Sequence, residues 1–131
     1  MELSTVLAVG LGGGIGAITR VTLGSIMPQM VFKDFPLPIL IINILGCFLM
    51  GLLFEVLTLY WSPSFNIRSF LISGFLGGFT TFSAFSLEFA LLVEKKLYVS
   101  CFLYIFLSIF LSLCFFFLGS NLIKTKFFGI L

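Results

Sequence analysis

The chain has no histidine, one tryptophan and three cysteines, and only seven basic and five acidic residues among its 131. Without histidine, the commonest zinc ligand and general base is missing. Cys47, Cys101 and Cys114 all lie in apolar runs with no CxxC spacing, which argues against a disulfide framework or a zinc centre; they read as small buried hydrophobes. Charged residues make up 9% of the chain, against about 25% in soluble proteins, so water is not its main solvent. No nucleophile–base pair, metal cluster or phosphate loop marks an enzyme, and no nucleic-acid partner is expected.

What is abundant is apolar surface: 60% of residues are hydrophobic and the mean hydropathy is +1.28. A helix crossing a bilayer needs about 20 apolar residues, so the chain has room for four spans and little else. Uncharged stretches and their flanks place these at residues 3–27, 37–60, 69–93 and 97–123 of a single four-helix domain. Tyr60 and Trp61 suit an interfacial anchor and Lys124 and Lys126 a membrane exit. The first stretch does not read as a cleaved secretory signal, because Glu2 stands where a positive region belongs.

Orientation follows from lysine and arginine, which normally gather on the cytoplasmic side. Four spans put Arg68, Lys124 and Lys126 on one side and Lys33, Lys95 and Lys96 on the other. The balance predicts dual topology, and a chain inserted both ways can pair with an inverted copy of itself, as inverted repeats do in transporters. The alternative is one orientation with a weak bias.

The first span holds two small-xxx-small pairs, Gly10/Gly14 and Gly12/Gly16, the pattern that lets helices approach closely in lipid. A nucleotide-binding reading fails, because no strand precedes the glycines. Arg20 costs at least ~2.5–3.5 kcal/mol at mid-bilayer. It either snorkels to the headgroups or forms an anion-attracting vestibule, and the residue itself favours neither.

Polar residues inside apolar spans are the best functional pointers. Asn43 brings an amide into the second span. In the fourth, Ser100, Tyr104, Ser108 and Ser112 recur every four residues and share one helix face. Such a stripe is either helix–helix glue or a row of neutral donors for a partly dehydrated anion. The third span carries Gly74, Gly77 and Gly78 followed by Thr80 and Thr81, a combination that predicts an interrupted helix at mid-membrane. Carbonyls freed there are ready ligands for a hard cation.

Three motifs then carry a resemblance over nearly the whole chain: Gly12-Gly13-Gly14-Ile15-Gly16-Ala17 with Arg20; Asn43 with Gly46 and Gly51; and Gly74-Phe75-Leu76-Gly77-Gly78-Phe79-Thr80-Thr81-Phe82-Ser83-Ala84-Phe85. The chain resembles the Fluc (CrcB) family of fluoride channels. The resemblance implies an all-α, antiparallel, dual-topology homodimer in the cell membrane, a bacterial inner membrane by analogy, with lipid around it and fluoride crossing two pores. It implies a structural sodium ion held by the backbone carbonyls of Gly77 and Thr80. It assigns pore-lining roles to Asn43, Phe82, Phe85, Tyr104, Ser108 and Ser112, and leaves Arg20, Thr81 and Glu88 in vestibule or structural roles. Ala84 and Pro38 depart from the family pattern.

A second class fits four spans as well, a dual-topology proton-coupled small multidrug exporter. It needs a titratable acid deep in the bundle, for which Glu55 and Glu88 are the candidates, both toward span ends. A non-transporting scaffold would explain the glycines but not the hydroxyl stripe.

Overall fold

The computed structural model describes residues 1–31 and 34–129. Among them, four helical stretches are long and apolar enough to cross a membrane: Leu3–Ile26, Leu37–Leu59, Phe65–Glu94 and Tyr98–Phe127. Helix α1 (Leu3–Ile26) leads into a short antiparallel pair, β1 (Met30–Val31) and β2 (Phe35–Pro36), with Met30 opposite Pro36 and Val31 opposite Phe35. Lys33, which entered the charge balance, lies outside the described residues. Helix α2 (Leu37–Leu59) follows at once, with Pro38 in its first turn, where a missing N–H sacrifices no helical bond.

The third stretch is composite. It runs through α3 (Phe65–Ser69), a π-helical segment (Phe70–Leu76), a single turn α4 (Gly77–Phe79) and α5 (Phe82–Glu94). It starts four residues earlier than the charge-free run alone indicates. The reason is local: the Ser64 hydroxyl accepts from the Ile67 N–H at 3.5 Å and caps α3, which carries Arg68 inside the helix. Thr80 and Thr81, between α4 and α5, are extended, with ψ of 157° and 124°. Lys96, at φ 59°, turns the chain into α6 (Tyr98–Phe128).

Two pairings build the bundle, α1 against the π-helical segment and α4, and α2 against α6. The glycines of α1 divide between two faces. A Cβ on Gly16 would collide with the Phe75 carbonyl, and one on Gly12 would sit 2.5 Å from the Phe70 carbonyl, whereas Gly10 and Gly14 meet nothing within 4 Å. One of the two small-residue pairs is therefore the seam to the third stretch, and the other is open. The buried core gathers at one end, where Leu40, Leu92, Cys101 and Tyr104 pack with Phe35, Phe85 and Phe89. Away from these seams large apolar side chains cover much of the surface. Phe102, Phe106 and Phe110 stack along the exposed face of α6 with centroids 6.3 and 5.4 Å apart, a face suited to lipid.

Beyond the core, α2 and α6 are tied at their other end by a polar cluster around a buried carboxylate. Glu55 is 2% exposed; it accepts from the Ser120 hydroxyl at 2.7 Å and pairs with the Lys124 ammonium at 3.1 Å. A carboxylate is stable at such depth only when paired and hydrogen-bonded in this way.

Candidate functional site

The extended pair Thr80–Thr81 is held from α2. Gly46 makes room for it, since a Cβ there would strike the Thr80 methyl group. One turn earlier on α2, the Asn43 amide accepts from the Thr81 N–H at 2.9 Å and donates to the Thr81 carbonyl at 3.0 Å. Thr81 also caps α5: its hydroxyl accepts from the Ala84 N–H at 3.2 Å and meets the Ser83 hydroxyl at 3.1 Å. Ala84 thus keeps its backbone bond although its side chain offers none.

These bonds release particular carbonyls. In an unbroken helix the Thr81 N–H would donate to Gly77 and the Ala84 N–H to Thr80, four residues back in each case. Both donors are diverted, the first to Asn43 and the second to the Thr81 hydroxyl. The Gly77 and Thr80 carbonyls lose their helical partners at the same point in the chain.

Beside this feature lies a groove of about 490 Å³ lined by Asn43 and Cys47 from α2, by Gly77, Thr80, Thr81, Phe82 and Phe85 from the third stretch, and by Ser108, Ile109, Ser112 and Leu113 from α6. Phe82 is 77% exposed, and its ring is tilted 34° to that of Phe85 with centroids 5.2 Å apart. Ser108 is only 8% exposed, yet its hydroxyl has no hydrogen-bond partner among the described residues. Leaving a buried hydroxyl unsatisfied costs about 1–3 kcal/mol, so Ser108 is stabilised by any polar partner that its surroundings supply.

Tyr104 sits differently from the two serines in its register. It is fully buried, stacks on Phe85 at 5.1 Å, meets the edge of Phe35 at 5.7 Å, and donates its hydroxyl to Glu88. It backs the groove through Phe85 and is not among the residues lining it. Ser100 lies two helical turns before Ser108, toward the start of α6.

Arg20 and Glu88 share a second cavity of about 260 Å³ with Gly24, Gln29, Pro38, Ile42 and Ala84. The Arg20 Nε is buried and has no partner among the described residues. The two vestibule candidates are therefore neighbours of one another, and Tyr104 joins their cavity to the groove through Glu88.

Two sites were missed in the sequence. Cys47 is half-buried and in the groove, and Cys114 is exposed, so only Cys101 is the buried hydrophobe all three were expected to be. The four-residue step from Asn43 to Cys47 was the available signal. The Glu55–Ser120–Lys124 cluster had none, since Glu55 lies on α2, far in sequence from Ser120 and Lys124 on α6.

Four helices long and apolar enough to cross a membrane, with a few polar side chains gathered in a groove between them, define a multi-pass membrane protein. The chain matches the family model described as CrcB-like protein, Camphor Resistance (CrcB), over residues 7–120. It is similar to the fluoride-specific ion channel FluC of Rhodospirillum centenum, with 39% identity over 94% of this chain and 98% of that one. The protein of the same name from Nitratiruptor is 36% identical over 99% of this chain and 100% of its own, and that of Campylobacter fetus 38% over 97% and 99%. The chain belongs to the CrcB family.

Proposed function

We propose that the protein is a subunit of a fluoride-selective channel that lets cytoplasmic fluoride leave passively, down its electrochemical gradient, and is not an enzyme. The observation that carries this reading is the groove: a buried, unpartnered Ser108 hydroxyl beside Ser112, Asn43 and two phenylalanine rings, with no cationic side chain among its lining residues. Neutral donors and ring edges can replace part of an anion's water without holding it too tightly to leave. A family whose relatives are named fluoride channels supports the choice of anion.

The working unit is an antiparallel homodimer of chains inserted in opposite orientations in the cell membrane. Near-balanced basic residues support it, and so does Phe82, whose ring lines the groove yet is 77% exposed in the single subunit. In such a dimer the Thr80–Thr81 interruption lies at mid-membrane close to the two-fold axis. The released Gly77 and Thr80 carbonyls of both copies fit a hard, oxygen-ligated cation such as sodium, and these residues would hold it. The ion would supply fixed positive charge that pins the two interruptions together.

The driving force is external to the protein. Hydrogen fluoride, a neutral weak acid, enters cells and dissociates in the more alkaline cytoplasm. The membrane potential then pushes the anion out, at about 2.3 kcal/mol per charge for each 100 mV. The proton-coupled exporter would need an acid free to load its substrate, but Glu55 is paired with Lys124 and Ser120, and Glu88 accepts from Tyr104.

Purified protein in liposomes loaded with potassium fluoride tests the proposal. Fluoride efflux is expected to start only when valinomycin lets potassium follow, and to proceed without a pH gradient. Efflux that needs a proton gradient and not valinomycin would favour the exporter.

A further inference from the structure

Cys47 lies one helical turn beyond Asn43 on α2 and lines the same groove as Ser108 and Ser112. Its side chain is half-buried and its thiol interacts with the Ser112 side chain. The other two cysteines stand elsewhere: Cys101 is 6% exposed in the core, and Cys114 lies on the exposed surface of α6, outside the groove. The thiol is therefore the one soft ligand on a surface whose other polar side chains are hydroxyls and an amide, set among aromatic and aliphatic groups.

A second observation points to a ligand at this place. Ser108, a residue 8% exposed, lines the groove, and its buried hydroxyl has no hydrogen-bond partner among the described residues. A volume of about 490 Å³ beside it admits small hydrated species.

We propose that Cys47 is a binding site for soft, thiophilic metal cations, mercury(II) in particular, and that a cation bound there closes the groove. Thiolate sulfur is the side-chain ligand that soft metals select. The thiol gives its proton to the buffer, the sulfur bonds to the metal, and one water leaves the metal. No oxidant or reductant takes part. The bound ion then occupies the polar wall beside Ser112, where its bulk excludes a second ion. Closure rests on fluoride crossing this groove; the metal site itself does not.

Two measurements separate the claims. In chloride-free liposomes, mercury(II) nitrate is expected to slow fluoride efflux at least tenfold, with recovery on adding dithiothreitol. Cys114→Ala is expected to stay sensitive, while Cys47→Ser loses sensitivity when each protein is compared with its own metal-free rate. Intact-protein mass after exposure to mercury(II) is expected to show one mercury on Cys114→Ala and none on the Cys47→Ser/Cys114→Ala double variant. This reading holds whether or not the protein conducts fluoride. Equal mercury uptake by both proteins would overturn the site, and undiminished efflux from a protein carrying mercury on Cys47 would overturn closure.

Discussion

Asn43 holds Thr81 by both ends of its peptide unit, accepting from its N–H at 2.9 Å and donating to its carbonyl at 3.0 Å. A single side chain on α2 thus stands in for the helical bonds that the third stretch gives up at that residue. The clamp leaves one amide N–H of Asn43 for the groove, since the side chain carries two.

Replacing Asn43 with aspartate keeps an acceptor for the Thr81 N–H but sets a carboxylate against the Thr81 carbonyl and puts negative charge on an anion's route. Each lost bond at a buried site costs about 1–3 kcal/mol. Fluoride efflux is expected to fall at least tenfold, with lower thermal stability in detergent; efflux at the unaltered rate would remove Asn43 from the path.

Phe82 and Phe85, with centroids 5.2 Å apart, follow the interruption on one face of α5. The hydrogen-bearing edge of each ring carries the positive part of its quadrupole. Isoleucine keeps bulk and apolarity but has no such edge. Phe82→Ile and Phe85→Ile dimers are expected to assemble, by gel filtration, and to lose fluoride flux at one or both positions. Normal flux through both would make the rings packing elements only.

Near-balanced basic residues predict both orientations in one membrane. Reporter fusions at the C-terminus are expected to read out on both sides, and two added lysines near one end to skew the ratio. A single orientation in the unaltered protein would exclude the antiparallel dimer.

The Gly77 and Thr80 carbonyls, stripped of their helical donors by Asn43 and Thr81, are expected to ring a spherical density on the dimer axis in an experimental structure. Replacing sodium with a large organic cation is expected to lower the dimer's melting temperature. A fully helical third span with no ion would refute the site.

Much of this arrangement follows from local pattern. Four spans are legible because each is an uncharged run of bilayer length, and the shared face of Ser108 and Ser112 follows from their four-residue spacing. The differing depths of Tyr104 and Ser108 do not follow from spacing, because burial at Tyr104 is set by Phe35 and Phe85 from other elements. The start at Phe65 depends on the Ser64 cap. Glu55 looked like an acid near a span end; its burial with Ser120, 65 positions away, appears only when α2 and α6 are packed. Cys47 was within reach of the helical step from Asn43, but its residue type suggested a core position.

That anions cross through the groove is tested most directly by fluoride and chloride efflux from liposomes, measured side by side for the unaltered protein and the Ser108→Ala/Ser112→Ala double variant. The unaltered protein is expected to release fluoride rapidly and retain chloride. The double variant, which removes two hydroxyls at little steric cost, is expected to remain dimeric and release fluoride at least tenfold more slowly. Equal fluoride rates for the two proteins would contradict conduction through this groove, and no fluoride release from either would contradict the channel itself.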